Sequence, residues 1–224
     1  MRTYGQYCAI AKALDVVGDR WAALIIRELL IRGPSRYTDL KNDLPGIATN
    51  LLGDRLKELE VAGVVVREVT PPPLTATLFR LTERGRALEP VLQALAQWGE
   101  PLLARPVKAD FFRTHWLAPL AAIHLQDHAP WARPSTIEVR TGEEPLQVRV
   151  EGGRVEILRG PAAHPDAVIT ASPALIVQVI TGGMTLTDAA AWGLEFEGDP
   201  SALMRVQPKA GRADAIQRPL FPDR

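Results

Sequence analysis

One cysteine, Cys8, occurs in 224 residues, so no internal disulfide is open to the chain and its fold must rest on burial, as suits a reducing compartment. A surplus of either charge is also missing: 26 Lys plus Arg balance 26 Asp plus Glu, and composition alone argues for no polyanionic partner. No apolar run approaches the roughly 18 to 20 residues of a membrane span. The opening MRTYGQYC lacks the basic-then-apolar pattern of a leader. A cytoplasmic protein with no membrane partner is the expectation. Enzyme signatures are absent: there is no G-x-S-x-G elbow, no phosphate-cradling glycine loop and no convincing order of Ser, His and Asp. His124 and His128 stand four apart, which would place them on one helical face, but no cysteine and no third ligand accompanies them. No metal or cofactor is therefore assigned, and the only enzyme reading left is a ligand-modifying activity in the C-terminal half.

What is present is a strongly ordered first half. From Ala9 to Val17, small and apolar residues recur at helical spacing, and Gly18-Asp19 closes that helix and opens the next. The second helix, about Trp21 to Leu30, carries a broad stripe of Trp21, Leu24, Ile25, Leu29 and Leu30, so it should be central to the core. Gly33-Pro34 ends it. A short helix near Thr38 to Leu44, a Pro45-Gly46 break and a longer helix from about Thr49 to Ala62 make a helix-turn-helix. In the longer helix Leu52, Leu56 and Leu59 must face the core, leaving Thr49, Asn50, Gly53, Asp54 and Lys57 on the other face. The first turn of such a helix is the part that reaches base edges in a major groove.

Residue chemistry then divides the labour. Asn50 can pair bidentately with adenine, whereas Arg36, Thr38, Thr49 and Lys57 suit phosphates or bases. Arg55 has two open readings, a DNA contact or a structural ion pair, and the whole polar face has a plainer one, a solvated helix surface. Val64 to Val69 and Thr77 to Leu81 read as a β-hairpin, and its tip, Thr70 to Ala76, holds three prolines and no Lys or Arg. Phosphate clamping would fall to Arg67 and Arg80 at the base. After it, Leu88, Val91, Leu92, Leu95 and Trp98 make the last helix of this half, about Arg86 to Trp98, apolar on a face that its own small core does not need.

The stretches VVGDRWAALIIRELL, LPGIATNLLGDRLKELEVAGVV and FRLTERGRAL closely resemble the HxlR-type winged-helix transcriptional regulators, a MarR-like group, over about the first 100 residues. The resemblance implies a homodimer built on the first and last helices, with Leu14, Leu88, Leu92, Leu95 and Trp98 at the interface. Two recognition helices would then lie about 34 Å apart on one face of double-stranded DNA. Cys8 lies where members of this family often have a cysteine, in some an oxidant or electrophile sensor, although Ala9 replaces the usual following proline. Redox sensing and a packed, inert thiol are both open for it.

The second half changes period. FFRTHWLAPLAAIHLQDH reads as one or two helices around Pro119. Ile137 and Val139, then Leu146, Val148 and Val150, alternate with polar residues, and Gly152-Gly153 links them to Val155 and Ile157 as a hairpin. Val168 to Ala171, a helix after Ser172-Pro173, a short helix at Thr187 to Trp192, a strand at Leu194 to Glu197 and a helix after Asp199-Pro200 complete an α+β pattern. This succession resembles the sterol carrier protein fold over roughly Thr136 to Val206. The resemblance implies a small antiparallel sheet covered by helices over an apolar cavity. Candidate liners are Trp116, Leu120, Trp131, Ile157, Ile176, Val179, Met184, Trp192 and Met204, each of which plain core would also explain.

Two domains are thus expected, 1–105 for DNA binding and dimerisation and 106–224 for an apolar small-molecule effector. Charge divides weakly in the fitting sense, 14 basic to 12 acidic residues through Arg105 and 12 to 14 beyond. The expected function is a transcriptional regulator, a repressor acting on a palindromic operator. The alternative is a lipid carrier module with a vestigial DNA-binding head, and the C-terminal domain has a plainer reading of its own, a pocketless support for the dimer.

Overall fold

The computed structural model describes residues 3–71, 75–104 and 110–209. The chain forms two compact units, one through Leu92 and the other from Gln93. The expected boundary at 105/106 lies outside the described residues, as do positions 72–74 of the hairpin tip.

In the first unit α1 (Ala9–Val17) and α2 (Ala22–Arg32) precede a two-residue strand β1 (Ser35–Arg36), α3 (Tyr37–Asp43), α4 (Thr49–Val61) and the hairpin β2 (Val65–Val69) and β3 (Thr77–Leu81). The three strands pair antiparallel in the order β1-β3-β2. One core joins them. Ile25, Ile26 and Leu29 of α2, Leu40 of α3, and Leu52, Leu56 and Leu59 of α4 are all buried with Phe79 and Leu81, and each such side chain stabilises the fold by about 1.5–3 kcal/mol. Ile47 and Leu52, just before the cap of α4 and in its first turn, are both buried in that core. This hydrophobic staple fixes the angle at which the chain enters α4.

After β3 the last helix of this half starts three residues later than expected, at Glu89 rather than Arg86. A one-turn α5 (Glu83–Arg86), capped by Thr82, precedes α6 (Glu89–Gly99). The reason is local: Thr82 accepts from the Gly85 amide while its hydroxyl donates to the Gly63 carbonyl, which ties this turn to the hairpin base.

In the second unit two short 3₁₀ turns lead to α7 (Ala118–His124). The chain then forms β4 (Leu125–Asp127), β5 (Ser135–Arg140), β6 (Leu146–Glu151), β7 (Arg154–Arg159) and β8 (Ala167–Thr170). Next come α8 (Pro173–Thr181), α9 (Leu186–Ala191), β9 (Glu195–Gly198), α10 (Pro200–Arg205) and β10 (Val206–Pro208). The main sheet runs β7-β6-β5-β8-β9, with β10 and β4 paired separately. It is mixed rather than all antiparallel, because β8 runs parallel to β5. The crossover that permits this, Gly160 to Asp166, is fastened to the outer face: Glu138 accepts from the Ala162 amide, Gln147 donates to the Pro161 carbonyl, and Asp166 accepts from the Thr136 amide. Gly152 and Gly153, both at positive φ, make the tight β6–β7 turn.

One segment read as helical is not. α7 stops at His124 and β4 begins at once, so His124 and His128 share no helical face. His124 Nε2 lies 2.7 Å from the Glu100 carboxylate instead.

Candidate nucleic-acid interface

The outer face of α4 gathers short polar groups. Thr49, Asn50, Asp54 and Lys57 are exposed, while Leu52, Leu56 and Leu59 on the opposite side are 2% exposed or less. Its entry is braced from α3: the Tyr37 hydroxyl donates to the Thr49 carbonyl and the Lys41 ammonium to the Ile47 carbonyl. Sequence spacing gives no sign of those two braces, since they depend on the angle of the turn. Ala48 at the cap offers no side-chain acceptor, leaving first-turn amides of α4 without a side-chain partner.

Cations around this face fall into two groups. Arg36 and Lys57 are exposed and, among the described residues, paired with no carboxylate. Thr38 is exposed beside Arg36. By contrast Arg55 bridges Asp19 at 3.3 Å and Glu58, the structural ion pair that is one of the two readings open to it. The hairpin-base cations are also engaged. Arg80 is held by Glu68 across the β2–β3 pair, a bond that keeps the Glu68 carboxyl below its ordinary range, and Arg67 lies 3.9 Å from Glu60. Exposed pairs of this kind contribute little and exchange readily, so neither bond commits its arginine.

The expected interface residues divide likewise. Leu14 on α1, and Leu95 and Trp98 on α6, are 44%, 52% and 70% exposed, and no residue of α6 is buried. Leu88 and Leu92 are instead partly covered by the core of the first unit. Cys8 is exposed at the start of α1, not packed, and amides of Ala11 and Ile10 draw its thiol pKa below the ordinary value.

The second unit encloses a small apolar cavity of about 50 Å³, lined by Ile137, Val148, Ile169, Ile176, Val179 and Leu203 among others. That is far below the roughly 300–1,000 Å³ of a ligand site. Of the nine expected liners, only Ile176 and Val179 face it. Leu120 is core, Ile157 and Met184 pack against the core, and Trp116 is half-buried. Trp131, Trp192 and Met204 are corrections, being 83%, 73% and 66% exposed. Trp131 sits on the turn between β4 and β5, Trp192 ends α9, and Met204 lies on the side of one-and-a-half-turn α10 opposite buried Ala202 and Leu203. Elements this short have no periodicity from which a buried face can be read.

Among the described residues the most enclosed ion pair in this unit is bidentate. Arg205 donates to both carboxylate oxygens of Asp127, at 2.8 and 2.9 Å, and both residues are buried. Asp127 also accepts from the Ala129 and Gly153 amides. The Arg205 bond, with those amides, pulls its pKa from 3.8 to about 2.

Comparison with known proteins places the two units separately. A family model described as HxlR-like helix-turn-helix matches residues 16–106, and one described as the SCP-2 sterol transfer family matches residues 123–210. The uncharacterized HTH-type transcriptional regulator YvaP of Bacillus subtilis is 40% identical over 87 residues, which span 39% of this chain and 80% of that protein. The HTH-type transcriptional regulator YodB of the same organism is 38% identical over 88 residues, 39% of this chain and 78% of that protein. The solved reduced form of YodB is 35% identical, covers 42% of this chain and 93% of its own, and superposes with a TM-score of 0.39. Among the described residues no helix is long and apolar enough to cross a membrane.

Proposed function

This chain belongs to the HxlR-like helix-turn-helix transcriptional regulators and carries an SCP-2-type domain behind the regulator head, and from that premise we propose that it is a homodimeric repressor of a palindromic operator. The observation that carries this reading is the two-sided character of α4: one face is wholly sunk in the core, and the other presents Thr49, Asn50 and Lys57 exposed among the described residues. Asn50 reads a base edge, and Arg36, Thr38, Thr49 and Lys57 hold phosphates, joined by Arg67 and Arg80 when these leave their exposed carboxylates. Dimerisation supplies the second half-site, and exposed Leu14, Leu95 and Trp98 are the groups it would cover.

In this reading residues 1–105 bind DNA and pair, and residues 106–224 take an apolar effector that separates α8 and α10 from the sheet and enlarges the cavity between them. Effector and operator then oppose one another by the same factor, typically about 5- to 150-fold. Selection of duplexes from a random pool by the full chain tests the DNA half: a palindrome should enrich, with affinity falling steeply as salt rises. No enrichment and no salt dependence would contradict it and favour the carrier reading, for which the SCP-2 match is the supporting observation.

A further inference from the structure

Glycine is a poor residue for a helix interior, because it loses the most backbone freedom on folding and offers no side chain in return. Where one occurs, a close neighbour usually accounts for it. Gly85 in α5 is such a case: a Cβ there would drive into the Val64 carbonyl and the Leu81 side chain. Gly53 is not. It is the fifth of the 13 residues of α4, and a Cβ built on it meets no described atom within 4 Å. Among the described residues the other glycine of a helix longer than seven residues, Gly99, is the terminal residue of α6. Nothing among the described residues accounts for the missing side chain.

Its position shows what lies outside. Gly53 follows Asn50 by three residues and precedes Lys57 by four, so it sits in the middle of the polar face of α4. The residues that lead into it, Ala48, Thr49 and Asn50, are short and exposed. The first turn and a half of α4 is therefore slim. A helix with ordinary side chains is about 10–12 Å across, and the major groove is about 12 Å wide, so trimming one face decides how deeply the backbone enters.

We propose that Gly53 is the point of closest approach of α4 to DNA, its bare backbone lying against the base-pair edges and setting the depth at which Asn50 reads. The proposal rests on the DNA-binding reading above. Its signature is a pair of effects of opposite sign, which a merely structural glycine would not produce.

The test is Gly53→Ala in the full chain, with thermal unfolding, sedimentation, and binding both to the palindrome selected by the wild type and to a scrambled duplex. The alanine variant should melt about 2–4 °C higher and sediment unchanged. Its operator affinity should fall about tenfold or more, with scrambled-duplex affinity changed by less than about twofold. Gly53→Ser should weaken operator binding in the same direction. Wild-type affinity in the alanine variant would overturn the proposal while leaving DNA binding intact. A lower melting temperature, or an altered assembly state, would also overturn it by revealing a neighbour in this chain or its copy. If the wild type binds no duplex in a salt-dependent way, the underlying reading fails and the proposal falls with it.

Discussion

The region around α4 and the hairpin and the interior of the second unit handle their polar groups in opposite ways. In the first, cations stand outside, either bare like Lys57 or loosely matched like Arg80 with Glu68, and further along the chain apolar side chains of α6 such as Trp98 are uncovered as well. In the second, the best-formed ion pair is buried, and the apolar groups that matter enclose a cavity of only about 50 Å³. The first region is thus open to other molecules, whereas the second is nearly filled by its own side chains. A surface that ends in unmet groups acts by contact, and an interior that is almost full acts only if something opens it.

Breaking the exposed side of this contrast should have the largest effect. Leu95→Glu places a charge on the uncovered face of α6 and should convert dimers to monomers in sedimentation, with loss of measurable operator binding. A variant that still dimerises would move the interface elsewhere. Next comes the enclosed side. Asp127→Ala leaves the Arg205 guanidinium buried without its carboxylate, which should cost about 3–5 kcal/mol in denaturant unfolding. The wild type adds a pH arm: with a folded-state pKa of about 2 against 3.8, the contribution of Asp127 is whole above about pH 4 and is lost as pH falls toward 2. A wild-type stability that is flat across that window would show the pair to be inert.

Smaller effects sharpen the division of labour on α4. Asn50→Ala should cost about 1–3 kcal/mol of operator binding and relax one base position. Lys57→Ala should weaken all duplexes alike and flatten the salt slope by about one unit. Equal loss of sequence preference in both variants would erase the distinction between reader and clamp.

The first unit was largely legible in the sequence, because helix-turn-helix order is written in spacing: Leu52, Leu56 and Leu59 fix which face of α4 is buried, and hence that Asn50 and Lys57 are outside. What spacing could not tell was electrostatic partnership. Arg55 is drawn to Asp19, 36 positions earlier in the sequence, and Lys41 to a backbone carbonyl across a turn. In the second unit the order from β5 to α10 was readable, whereas β4, β10 and the parallel β5–β8 pair were not, the last depending on where the 160–166 crossover lands. Burial of single large apolar side chains was the least legible: Trp131, Trp192 and Met204 belong to turns and short helices whose orientation only tertiary packing decides.

The central claim is that two copies of the head read one DNA site together, and helical phasing tests it most directly. The full chain is titrated with the selected palindrome and with versions carrying about 5 and about 10 extra base pairs between half-sites, half and one turn of B-DNA. The account predicts two chains per duplex, a large loss of affinity on the half-turn insertion and substantial recovery on the full turn. Equal affinity for all three duplexes, or one chain per duplex, would contradict it.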